Sequence, residues 1–210
     1  MPTLRLSLDA RRPDATLLRR AVDALLAGEI VAFPTDTLYG LAVDPRRRDA
    51  VGRLFAAKHR PAHAAAPLVA AAAAQVDAVA RWTPLGRRLA ARFWPGALAL
   101  VLDAAPVLDP GLLGGGTTVA VRVPAHPVAR ALAAGLGFPV TATSANRSGH
   151  AAASEAGAVI AELGDGVSVI LDAGPVAGGA PSTIVDVRGD GPVLLREGAV
   201  PWDRVLQSLA

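Results

Sequence analysis

Residues 28–44 read GEIVAFPTDTLYGLAVD, and the rest of the chain is organised around this stretch. Ile30, Val31, Ala32 and Phe33 form a short apolar, β-prone run of the kind that fills a sheet interior. Pro34 has no N–H to give to a ladder, so the strand is expected to stop there. Behind it come Thr35, Asp36, Thr37 and Tyr39, the one tyrosine of the chain, closed by Gly40. Hydroxyls, a carboxylate and a phenol at the end of a buried strand suit a ligand site, because open α/β sheets bind at their strand ends. The same residues also describe an ordinary polar turn, and alone they leave both readings open.

Helical and extended segments alternate on either side of this stretch. Residues 14–27 carry Leu17, Leu18, Ala21, Val22, Leu25 and Leu26 at helical spacing, with Asp14 as cap and Gly28 as stop. A second helix is expected over 49–57, preceded by Arg46, Arg47 and Arg48, a triplet more typical of a solvated face than of a phosphate site. Residues 67–72 read as a strand, and Thr83-Pro84 starts a helix that runs to about Trp94. Strands follow at 97–102 and at 117–123, the latter placing Thr118, Ala120 and Arg122 on one face. Arg122 is then either edge-exposed or directed into a cavity. A short helix at 127–135 leads to a strand at 139–143, which runs into Ser144-Ala145-Asn146-Arg147-Ser148-Gly149. A helix at 154–163, strands at 167–171, 182–187 and 193–195, and a helix from about Pro201 complete the chain. Short connections between mixed elements point to an α/β sheet with both strand orientations.

At 210 residues the chain is long enough to bury a sizeable core as a single domain, 1–210. There is no cysteine, so disulfides and thiolate metal sites are excluded. No charged-then-apolar leader opens the chain and the Ala-rich run 64–74 is too short to span a bilayer, so a cytoplasmic location without membrane partners is expected. The four histidines (59, 63, 126 and 150) show no metal-ligand spacing, and no nucleophile elbow, P-loop or dinucleotide fingerprint is present. Among 21 basic residues only Lys58 is a lysine. A compact ammonium and a planar guanidinium are different tools, so a lone lysine in an arginine-rich chain either marks a place where guanidinium would not substitute or has survived by chance. Lys58 and Arg60 lie two residues apart after the second helix, where they can clamp phosphate or cap helix carbonyls.

Taken together, FPTDTLYGLAVD (33–44), LFAAKHRP (54–61), FWPGALALVL (93–102), TTVAVRVPAHP (117–127), PVTATSANRSG (139–149), PSTIVDV (181–187) and LLREGAV (194–200) resemble the YrdC-like family of threonylcarbamoyl-AMP synthases. These islands follow the family order and cover nearly the whole chain. The resemblance implies an α/β fold with a strongly twisted mixed sheet, parallel and antiparallel, flanked by helices around a basic central cavity. It also implies an enzyme, a nucleotidyltransferase that uses ATP with Mg²⁺, L-threonine and bicarbonate and releases threonylcarbamoyl-AMP and pyrophosphate. RNA, in particular tRNA, and downstream threonylcarbamoyl-transfer proteins are the further partners it implies. The family motifs KxR and SxN fall on Lys58/Arg60 and Ser144/Asn146. By resemblance, Lys58 and Arg60 are catalytic, and Thr35, Arg122, Ala142 and Ser182 line the threonine subsite. Lys58, Arg60, Thr118, Ser144, Asn146 and Arg196 hold ATP; no metal ligand is implied.

This chain departs from the family pattern in two places. HAAA lengthens the spacer before Pro67-Leu68, so no correspondence is drawn across 62–66 and His63 has no role. Ala152 stands where the family often has Ser or Thr, with Ser154 the nearest hydroxyl. The chain also ends soon after the matching islands, so the added C-terminal domain of longer family members is expected to be missing. Two other readings compete with the synthase: a double-stranded RNA-binding module without turnover, and a paralogue that carbamoylates or adenylates another small molecule. A binding module needs general basicity, not the full set of Thr35, Arg122, Asn146 and Ser182.

Overall fold

In the computed structural model, residues 2–61 and 63–209 are described. The elements in chain order are β1 (Leu4–Ser7), α1 (Ala15–Leu26), β2 (Val31–Pro34), β3 (Tyr39–Ala42), α2 (Arg48–Ala57), β4 (Leu68–Val69), β5 (Ala80–Arg81), α3 (Pro84–Phe93) and β6 (Leu98–Ala104). They continue with β7 (Thr118–Arg122), α4 (Pro127–Leu136), β8 (Val140–Thr141), β9 (Thr143–Ser144), α5 (Ala156–Leu163), β10 (Val169–Asp172), β11 (Thr183–Asp186), β12 (Val193–Arg196) and α6 (Trp202–Gln207). The helix boundaries follow their caps. Asp14 accepts hydrogen bonds from the N–H groups of Thr16 and Leu17 at 2.7 and 3.0 Å, and Thr83 accepts from Gly86 at 3.0 Å ahead of Pro84. Arg46 pairs with Asp44 and Arg47 with Asp49, so two of the three arginines are occupied by local carboxylates.

Two ladders carry the mixed pairing that the sequence led us to expect. One runs β1-β10-β2-β3-β9, parallel across its first three strands and antiparallel thereafter. The other runs β12-β11-β6-β7-β4-β8, with β5 on β6, and is parallel at β11/β6 and β4/β7. The stretch expected as one strand at 139–143 joins them. Its first half, β8, pairs with β4, and its second half, β9, pairs with β3. The changeover is held by Thr141, whose hydroxyl accepts from the Val43 N–H at 2.9 Å and donates to the Leu41 carbonyl at 3.1 Å. Ala142 then donates its own N–H to the Pro67 carbonyl at 2.8 Å.

Several expected boundaries shift. Pro34 is the last residue of β2, opposite Tyr39, instead of lying outside the strand; a proline is tolerated at this hairpin-closing position. The strand expected over 67–72 shrinks to Leu68–Val69, because only these two residues find partners on β7 and β8. β1 and β3 were not anticipated. β3 hides behind Gly40, which reads as a turn residue but packs closely in the strand: a Cβ there would sit 3.2 Å from the Phe33 ring. β2 and β3 are wholly buried, with α1 packed against α4 and both helices against β2. That burial fixes the β2–β3 hairpin tip, the position on which the site depends.

Candidate functional site

Thr35, Asp36, Thr37 and Leu38 form the four-residue tip between β2 and β3. Hairpin tips ordinarily sit in solvent, yet Thr35 and Thr37 are only 4% and 7% exposed. The tip is shaped by Thr35, whose hydroxyl donates to the Leu38 carbonyl at 2.7 Å and accepts from the N–H groups of Thr37 and Leu38, each at 3.2 Å. Such a hydroxyl-centred turn explains why threonine stands there. Tyr39 belongs to the frame instead: fully buried, it donates to the Gly174 carbonyl at 2.8 Å, and burial raises its phenol to about 12.

Arg122, at the end of β7, comes against this tip. Its Nη2 lies 3.2 Å from Asp36 Oδ1 and donates to the Thr37 hydroxyl at 3.3 Å. Of the two alternatives open for Arg122, the edge-exposed one fails: the residue is 6% exposed, and its Nη1 has no hydrogen-bond partner. Burial lowers the Arg122 pKa, the nearby Arg196 lowers it further, and Asp36 opposes both. His126, which caps α4, is also within reach of the Asp36 charge, and burial holds it below the ordinary histidine value.

Lys58 is the C-cap of α2, and its side chain is 1% exposed. The ammonium donates to the backbone carbonyl of Ser144 and to that of Asn146 at 2.6 Å. The KxR and SxN motifs therefore meet physically, at the end of β9. Burial above all, with Arg60 adding to it, pushes the Lys58 ammonium down to about 8. Arg60 itself donates to the carbonyls of Ala64 (3.1 Å) and Ala65, so it braces the lengthened loop; Ala62 in that loop lies outside the described residues, and His63 is exposed. Asn146 donates to the carbonyls of Arg147 and His150 at 3.0 and 2.6 Å, leaving a buried Oδ1 without a partner.

Arg196, at the end of β12, donates to the Ser182 carbonyl at 2.7 Å and lies 3.4 Å from its hydroxyl. The close approach of these two segments needs Gly198, where a Cβ would fall 2.1 Å from the Pro181 carbonyl oxygen. Ala142 occupies the changeover between β8 and β9, two residues from Ser144. Thr118 begins β7, four residues before Arg122 and so about 13 Å along the strand; among the described residues no side-chain hydrogen bond joins it to the other candidates. The structure thus brings the candidates together as Lys58 with Ser144 and Asn146, Arg122 with the Thr35–Thr37 tip, and Arg196 with Ser182. Asp36 and Thr37 join Arg122; the strand-end reading had included both in a possible ligand site, whereas the family resemblance assigned neither to a subsite. Two open cavities, about 350 Å³ beside Trp82 and Trp94 and about 410 Å³ beside Arg5 and Asp172, lie elsewhere. Among the described residues no cluster of His, Asp or Glu could hold a metal ion by itself.

Chemically, this is an arrangement for anions. A buried guanidinium with a free N–H and a buried ammonium facing carbonyls can neutralise carboxylate and phosphate groups. Residues 23–198 match the Sua5/YciO/YrdC family, described as telomere recombination. A threonylcarbamoyl-AMP synthase of Bacillus subtilis is 37% identical over 190 residues, which cover 90% of this chain and 55% of the relative. One from Vibrio cholerae is 36% identical over 174 residues, covering 81% of this chain and 93% of the relative. The chain spans little more than half of the first relative and nearly all of the second. The crystal structure of Pyrococcus abyssi Sua5 complexed with L-threonine superposes with a TM-score of 0.94 at 36% identity, over 99% of this chain and 61% of the other.

Proposed function

The chain belongs to the Sua5/YciO/YrdC family, and from that premise we propose that it is a threonylcarbamoyl-AMP synthase, making threonylcarbamoyl-AMP and pyrophosphate from ATP, L-threonine and bicarbonate. The observation that carries the reading is the meeting of Lys58 with Ser144 and Asn146 at one strand end, together with a second buried cation, Arg122, that keeps an open N–H. One cationic centre serves the nucleotide and the other the amino acid. The relatives named above support the same reading.

In this reading the neutral threonine amine condenses with bicarbonate, losing water, to give a carbamate, whose oxygen attacks the α-phosphate of ATP as pyrophosphate leaves. Both partners are anions, so the enzyme's work is to hold them in line and neutralise charge as it develops. Arg122 takes the threonine carboxylate through its open N–H, with Thr35, Ala142 and Ser182 around it. Lys58, Arg60 and Arg196 face the phosphates, while Thr118, Ser144 and Asn146 position the nucleotide. Mg²⁺ enters as part of the ATP substrate, on the phosphates, which fits a site whose own groups are cationic and amide. The basic cavity, RNA and downstream threonylcarbamoyl-transfer proteins belong to the same proposal. The assay is pyrophosphate release with each substrate omitted in turn. Release that requires threonine and bicarbonate together is expected; equal release without either one rules the reading out, and equal release with serine moves the assignment to a paralogue.

A further inference from the structure

The contact between Arg122 and the hairpin tip holds two buried atoms with complementary open valences. Asp36 Oδ1 has no hydrogen-bond partner, and neither does Arg122 Nη1. They belong to one ion pair, Nη2 to Oδ1 at 3.2 Å, whose members are 8% and 18% exposed. The pair neutralises charge without using up its hydrogen-bonding capacity. Interiors rarely leave such atoms unpaired unless something else completes them. The groups facing the pair are the Thr35 and Thr37 hydroxyls on its own hairpin, His126 from α4 and Arg196 from β12. None of these takes Asp36 Oδ1.

A ligand that completes both atoms must offer a cationic donor and an anionic acceptor within a few bonds of each other. A phosphate or a plain carboxylate supplies only the anion and is repelled by Asp36. A metal ion suits Asp36 alone and is repelled by Arg122. The zwitterion of an α-amino acid supplies both, on groups attached to one carbon. We propose that Asp36 receives the α-ammonium of the amino-acid substrate while Arg122 takes its carboxylate, so that the pair selects α-amino acids over hydroxy acids. This rests on the synthase reading and adds to it a residue that holds the nitrogen destined for the carbamate. Asp36 is then a specificity-determining residue, placed by the same turn that fixes Thr35.

The test uses the whole chain and two kinds of measurement. With the wild type, L-threonine is compared by calorimetry with 2,3-dihydroxybutanoate, in which a hydroxyl replaces the ammonium. Loss of a charge-assisted contact weakens binding roughly tenfold to a hundredfold, and that is the preference expected for threonine. Asp36→Asn keeps the shape and removes the charge. It should reduce the preference to within about threefold and raise the threonine KM while ATP–Mg²⁺ affinity stays within about twofold. Should Asp36→Asn fail to fold by melting curve, the wild-type comparison still decides: equal binding of the two compounds overturns the proposal. So does an Asp36→Asn variant that keeps its preference, or one whose loss falls on ATP–Mg²⁺, the mark of a metal ligand. Wild-type protein that ignores threonine altogether overturns the synthase reading and this inference together, whereas normal threonine use with an unaffected Asp36→Asn overturns only the inference.

Discussion

Raising the pH should switch off ATP binding through one side chain. Lys58 is 1% exposed at the end of α2, donates to the carbonyls of Ser144 and Asn146, and has its ammonium pushed down to about 8 by burial. Below that value it is charged and able to meet phosphate; above it the free protein carries a neutral amine. Bound polyphosphate favours the charged form, so binding above pH 8 must include uptake of a proton. With one such group, affinity falls about tenfold for each pH unit beyond 8, equal to about 1.4 kcal/mol. From pH 7 to pH 9 the charged fraction drops from about nine-tenths to about one-tenth, so the ATP–Mg²⁺ dissociation constant should rise about tenfold. Titration calorimetry in buffers of different ionisation enthalpy measures both the affinity and the proton taken up. Lys58→Arg supplies the control, because guanidinium stays charged throughout this range. Its affinity should be flat with pH, while the broader planar head, forced against two carbonyls, misplaces the phosphates by about an ångström and costs up to a hundredfold in turnover. A wild-type profile flat to pH 9 would refute the assignment of the titration to Lys58. Wild-type turnover in Lys58→Arg would show that charge alone matters there.

Other perturbations separate site from frame. Arg122→Ala should raise the threonine requirement tenfold to a hundredfold, a loss of about 1.5–3 kcal/mol, with little change for ATP; substrate-dependence curves for both decide it, and matched losses point to a collapsed fold. Thr183 donates to the Val200 carbonyl at 2.6 Å and accepts from the N–H groups of Gly198 and Val200 at 2.9 and 3.1 Å. Thr183→Val leaves those groups unpaired at a cost of about 1–3 kcal/mol, so the melting temperature should drop by several degrees and the Arg196–Ser182 contact should loosen, weakening ATP binding. Asp14→Ala removes the cap of α1 and should cost about 1 kcal/mol, read as a fall of roughly 2–4 °C in melting temperature with kinetics unchanged. A kinetic effect there would contradict the separation of α1 from the site.

The local elements were legible in the chain because they are determined by near neighbours. Asp14 and Thr83 announce helix starts, the period through Ala21, Val22 and Leu25 gives the buried face although Leu26 is exposed, and the apolar run to Phe33 gives a strand; the element bounds are observed within about two residues. The candidate residues were legible only as islands whose order resembled a family. Nothing local says that Lys58 would reach across 86 residues to the Ser144 carbonyl, or that Arg122 would meet a hairpin tip 85 residues earlier. Those meetings follow from sheet topology. The chain from Val140 to Ser144 leaves one ladder at Ala142 and enters the other, and that passage sets the SxN motif against the end of α2. β3 was concealed for the same reason: Gly40 reads as a turn until the Phe33 ring is seen packed closely against it. Propensity and periodicity decide what a segment becomes. Which segments face one another is decided by burial and long-range pairing, and so is whether Asp36, a turn residue by sequence, becomes the partner of a buried arginine.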